Sequence, residues 1–251
     1  MSLSDQAQQA HDELLPNHVS TLKVSDPELI GTFDNFAFDE VLRYGSLDDR
    51  TRLMVQLAAI IACPGLQNYR LMLGGALNLG VTPIEVKEIV YQAVPYVGMA
   101  KVLDFVHVTN EVLVDRGIQL PLEGQSTTTP ETREEKGLAI QKEVIGADII
   151  DALYASTPDD ALHFQRLLSA NCFGDHYTRT GIDVPMRELL TFAMLVALGG
   201  CEAQVKAHVA ANLNVGNDRA VLLSVITQLL PLIGYPRTLN GLAVINHVIP
   251  A

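Results

Sequence analysis

Apolar residues along this chain recur at helical spacing. Val86, Ile89, Val90, Ala93 and Val94 follow the i, i+3, i+4 rhythm of an amphipathic helix. Gly80 stops the preceding helix, and Thr82-Pro83-Ile84-Glu85 opens this one as a capping box with proline at its first position. Pro95 ends or kinks it, Gly98 terminates it, and Val102, Phe105, Val106 and Val108 begin another. A second apolar run, Leu189 to Leu198, is interrupted by Thr191 and closes at Gly199-Gly200, too short to span a bilayer. Valine and isoleucine are frequent but never alternate as a half-buried strand would require. The pattern predicts an all-α protein.

The helical punctuation occurs twice. Leu77-Asn78-Leu79-Gly80 and Leu213-Asn214-Val215-Gly216 stand 136 residues apart. At that offset, without a gap, Gln92 falls on Gln228, Pro95 on Pro231, Gly98 on Gly234, Leu103 on Leu239 and Asn110 on Asn246. Upstream, Asp39 matches Asp175 and Gly45 matches Gly181. A register this long marks a duplicated unit, with five or six helices in each copy. Between the copies, Leu120 to Pro130 is polar, contains proline and lacks periodicity, as a linker does. Thr129-Pro130 is expected to start the next helix. The expected division is an N-terminal arm over 1–29, a first repeat over 30–116, a linker over 117–130 and a second repeat over 131–251.

Composition narrows the function. Hydrophobic residues make up 48% of the 251 and charged residues 18%, enough to bury a core. A formal net charge of −12 argues against nucleic-acid and anionic-membrane partners, which need clustered lysine and arginine. The start of the chain carries Asp5, Asp12 and Glu13 and does not read as a signal peptide. Three scattered cysteines make no disulfide framework. A cytoplasmic protein is expected. Asp175-His176 and His163 lack metal-ligand spacing, and no glycine-rich phosphate loop is present, so neither metal nor cofactor is expected.

The second repeat carries the chemistry. Glu188 lies in an apolar helix, a Gly-Gly break follows, and then come Cys201, Gln204 and His208 ahead of Asn214-Val215-Gly216. This arrangement resembles the carboxymuconolactone decarboxylase family, which includes alkylhydroperoxidase D, over roughly 30–111 and 162–248. The resemblance implies two tandem helical repeats and one of two chemistries. The peroxidase branch uses a Cys-x-x-Cys with a histidine four residues on and a glutamate upstream. Here Cys201 matches the first cysteine, His208 the histidine and Glu188 lies near the glutamate, but Gln204 replaces the second cysteine. A dithiol cycle needs both thiols, so the chain is closer to the decarboxylase branch, with His208 as general acid/base and Gln204 orienting a small carboxylated or lactone-type substrate. A Cys201-based thiol peroxidase is the alternative, and a binding or assembly protein with a decayed site is another. Arg237, at a helix start, is a candidate for holding a substrate carboxylate, although a first-turn arginine is more often simply exposed.

The first repeat acts as an internal control. At the matched positions Glu188 becomes Arg52, Cys201 becomes Gly65, Gln204 becomes Asn68 and His208 becomes Met72, while the stops and caps persist. The histidine, cysteine and glutamate therefore exceed what packing needs. On residues alone, a histidine beside apolar helix positions is more often structural than catalytic, and a lone cysteine is usually a small buried hydrophobe. Mean hydropathy is +0.21, and helices apolar nearly all round need cover on every side. A cyclic homo-oligomer is expected, a trimer first and a dimer next.

Overall fold

The computed structural model describes residues 2–16 and 18–250, and they form helices with no strand. In the first half these are α1 (Asp5–Leu14), α2 (Leu22–Ser25), α3 (Pro27–Asn35), α4 (Asp49–Ala62), α5 (Leu66–Asn78), α6 (Pro83–Val97) and α7 (Met99–Asp115). The second half holds α8 (Arg133–Ile145), α9 (Ala147–Ser156), α10 (Leu162–Leu167), α11 (Val184–Leu198), α12 (Glu202–Asn214) and α13 (Arg219–Val248). A π-helical turn precedes α4, at Phe36–Glu40, and another precedes α11, at Leu168–Tyr177.

The local rules of the sequence are visible at the helix ends. Thr82 Oγ1 accepts from the Glu85 amide at 3.3 Å while Glu85 Oε2 accepts from the Thr82 amide at 2.8 Å. Asp48, Asp183 and Asp218 cap α4, α11 and α13 in the same way through one oxygen. Gly98 (φ 83°) and Gly234 (φ 76°) occupy the positive-φ region at matched positions; there glycine lets one helix end and the next begin at a new angle. That break splits α13, the one described helix long and apolar enough to cross a membrane, into two segments packed on α4, α11 and α12. One start differs from the sequence reading. Pro130 sits in a turn where the amides of Thr132 and Arg133 reach Thr129 O, so α8 begins at Arg133.

α4 and α11 occupy matched positions and pack against each other at the centre, nearly all of their residues buried. Both are apolar over most of their surface because other helices wrap them on most sides, with Arg187, Glu188 and Thr191 of α11 as buried polar exceptions. Around this pair the two halves reciprocate. Gln92 of α6 reaches Thr191 Oγ1 in the second half at 3.2 Å, and its counterpart Gln228 of α13 reaches Val41 O in the first at 2.8 Å.

The expected arm has a place in this duplication. α1 packs on the first π turn and α5, as α8 packs on the second π turn and α12. The matched asparagines secure both: Asn78 Nδ2 donates to Leu14 O at 3.2 Å, and Asn214 Nδ2 to Val144 O at 2.9 Å. Each repeat thus includes a helix upstream of the span that the gap-free register covers.

Candidate active site

Glu188 lies in the second turn of α11 with no solvent exposure, and α12 brings His208 against it. His208 Nδ1 lies 2.8 Å from Glu188 Oε2, and Tyr177 Oη donates to Glu188 Oε1 at 2.6 Å. Two donors on one buried carboxylate replace the water it lost, which burial of the charge requires. Asn212 ties the helices together, its Nδ2 donating to Glu188 O at 3.2 Å and to His208 O at 2.7 Å.

Behind Glu188 the hydroxyls form a directed chain. Tyr177 Oη is 3.0 Å from Thr191 Oγ1 and 3.0 Å from Tyr96 Oη, and Cys172 Sγ donates to Tyr96 Oη at 3.6 Å. Burial first, then the charge of Glu188, holds the Tyr177 phenol well above its usual range; burial does the same for Tyr96, and it pushes the Cys172 thiol up to about 12. All three stay protonated near neutrality and act as donors toward Glu188. The imidazole therefore presents Nδ1–H to the carboxylate. Among the described residues nothing hydrogen-bonds to Nε2.

A second polar cluster adjoins the first. Gln92 Oε1 accepts from Arg187 Nη1 at 3.0 Å; Arg187, wholly buried, donates through Nη2 to Glu88 Oε2 at 2.8 Å. Arg179 grips the same Glu88 with Nε and Nη2. Gln92, Tyr96 and Glu88 all come from α6, so the first repeat completes the surroundings of the second repeat's glutamate and histidine. Sequence reading missed Tyr96, Tyr177 and Arg187; the Arg187-Glu188 dipeptide was the available signal.

The other expected residues lie elsewhere. Cys201 caps the N-terminus of α12, its Sγ donating to Leu195 O at 3.3 Å, and burial raises its thiol. It shares a small crevice with Arg237, while Gln204 is exposed. Cys201, Gln204 and His208 do not line one pocket: the Gly199-Gly200 break leaves Cys201 outside the regular helix, and Gln204, one turn before His208 in α12, is exposed where His208 is buried. In the first repeat, Arg52, Asn68 and Met72 border a cavity of about 170 Å³ together with His11 of α1 and Leu232 of α13. Among the described residues no cluster of ligands for a metal occurs.

Comparison with known proteins agrees with the duplication. The Carboxymuconolactone decarboxylase family matches residues 27–111 and again 163–247, two spans that begin 136 residues apart. The chain belongs to this family. It is similar to the 4-carboxymuconolactone decarboxylase of Acinetobacter baylyi, 30% identical over 96 residues, which is 38% of this chain and 71% of that protein. Within the carboxymuconolactone decarboxylase fold, this chain is a tandem form with two unlike halves.

Proposed function

We propose that this chain is a cofactor-free, decarboxylase-like enzyme in which His208 is the general acid/base for a small carboxylated or lactone-type substrate. One observation carries the reading: His208 Nδ1 is engaged by buried Glu188 while, among the described residues, Nε2 has no partner. Glu188 orients the ring, and Tyr177 holds Glu188. As a carboxylate leaves as CO₂, its bonding pair passes into the adjacent conjugated carbonyl. Imidazolium Nε2–H then supplies the proton to carbon and is recharged from water. We rank the thiol route lower, since Cys201 is not beside His208 and burial disfavours its thiolate.

The test is CO₂ release from 4-carboxymuconolactone and related lactone acids. His208→Ala should lower turnover by roughly 10²–10⁴-fold, and Cys201→Ser should leave it near wild type. An unchanged rate in His208→Ala sinks the assignment; hydroperoxide reduction abolished by Cys201→Ser would install the thiol route instead. We also infer a cyclic homo-oligomer, a trimer of two-repeat chains, from apolar side chains left exposed on α3 and α10.

A further inference from the structure

The segment joining the repeats encloses space as well as spanning it. Residues 120–125 form one wall of a cavity of about 340 Å³, and Ile84, Lys87, Glu88 and Tyr91 of α6, Asn110 of α7 and Arg179 form the rest. We propose that this cavity is a second ligand site, for a small organic carboxylate, separate from the glutamate–histidine centre.

The charge balance carries the proposal. Lys87 is buried, its ammonium donates to the neutral Asn110 Oδ1, and among the described residues no carboxylate pairs with it. Beneath it, Arg179 and Arg187 share Glu88 alone: Arg179 binds at 2.8 Å and Arg187 at 2.8 Å. Two cations on one anion, with Lys87 added, leave positive charge in excess inside a chain of net charge −12. Lys87 Nζ and the Arg179 guanidinium both lie over Tyr91, at 5.8 and 5.1 Å from the ring centre. Glu123, also in the wall, is exposed and forms no ion pair with either. A buried cation without a counter-charge is costly and readily satisfied by an incoming anion.

The duplicated half shows what packing alone demands. At the matched positions Lys87 becomes Leu223, Glu88 becomes Ser224 and Tyr91 becomes Thr227. Ser224 accepts from the Ser46 amide at 3.2 Å and donates to Ala220 O at 2.8 Å, both backbone ties. The charges of α6 thus exceed the requirements of the fold.

The same features select the ligand. The Arg179 fork is occupied by Glu88, which leaves Lys87 as a single-point cation for an anion's oxygen, and the apolar part of the lining favours an anion with an organic body. Ile84, Leu120 and the Tyr91 face offer an apolar bed, and the volume lies at the small end for ligand sites, about 300 Å³ and upward. Neither His208 nor Glu188 is in the walls, and a single-repeat protein has no linker to close such a cavity.

Titration calorimetry of the full chain at low ionic strength, with benzoate and cyclohexanecarboxylate as probes, tests the proposal. Expected is one saturable site that weakens with salt, loses roughly tenfold or more in Lys87→Leu, and persists in His208→Ala. Thermal stability of Lys87→Leu should not fall. Gly124→Phe is an independent probe, because Gly124 lines the cavity and a Cβ there meets no atom within 4 Å; it should also weaken binding. No saturable binding by wild type, unchanged affinity in both Lys87→Leu and Gly124→Phe, or equal binding of phosphate and sulfate would each overturn it. Loss in His208→Ala instead would move the ligand to the glutamate–histidine centre, and the cavity would fall.

Discussion

Tyr96 of the first repeat meets His208 of the second edge to face, ring centroids 5.6 Å apart and planes at 79°. The contact joins the halves at His208 itself. Such a pair contributes about 0.5–1.5 kcal/mol beyond its buried area, and the Tyr96 hydroxyl also contacts Tyr177, which holds Glu188. Replacing Tyr96 by leucine, the residue at its matched position 232, should lower turnover about tenfold while the helical circular dichroism is kept. Unchanged kinetics would show that the aromatic wall does not position His208.

Glu188→Gln keeps shape but removes charge. The amide cannot hold the imidazole in the Nδ1–H form with a counter-charge behind it, so turnover should fall by roughly 10²–10⁴-fold. Tyr177 keeps an acceptor, so stability should drop by only about 1–3 kcal/mol. Steady-state kinetics with urea unfolding checks both; a fall in stability without loss of turnover would make Glu188 purely structural.

Stability should decline below neutrality through His176. Burial pulls its pKa down to about 4, with Asp175 opposing and Arg179 and Arg187 adding to the shift, and among the described residues its buried Nδ1 has no hydrogen-bond partner. The folded ring stays neutral where the unfolded one, near pKa 6.5, takes a proton. Its contribution is therefore complete above pH ~6.5 and lost as pH falls toward about 4. Because the ring is partly open to solvent, about 2 kcal/mol is the expected loss. Urea unfolding between pH 7 and 4.5 should show a shallower slope for His176→Gln; identical slopes would refute the assignment.

Assembly follows from what the monomer leaves uncovered. Val24 and Leu29 on α2 and α3 are 90% and 64% exposed, and Phe164 and Leu167 on α10 are 66% and 58% exposed. Exposed apolar side chains on these helices are what a subunit contact would cover. Light scattering at micromolar concentration should give the mass of three chains, and Leu29→Glu with Phe164→Glu should give one. A monomeric wild type would show that the patches serve another purpose.

Much of the fold was legible in the sequence because its signals are local. The capping box at Thr82, the stops at Gly98 and Gly234 and the aspartate caps depend on residues within one turn. Glu188 and His208 were also accessible, through the internal comparison with Arg52 and Met72. Their partners were not. Tyr96 lies 112 residues from His208 along the chain, and only tertiary packing joins them. Cys201 was misplaced because the two positive-φ glycines before it end the regular geometry there, and Gln204 because one turn of α12 separates an exposed position from a buried one. The N-terminal helix escaped the duplication because its match to α8 keeps the packing partner and the asparagine tie without the residue register.

The reciprocal exchange between halves also changes what a single substitution can do. In a ring built from identical single repeats, any residue appears at every equivalent site, so a change useful at one is imposed on all. Covalent fusion lifts that constraint. Glu188 can face a histidine while Arg52 faces a methionine, and Lys87 can sit in one helix with Leu223 in its twin. Half of the molecule is free to specialise as a wall, while the other half keeps the proton-bearing groups.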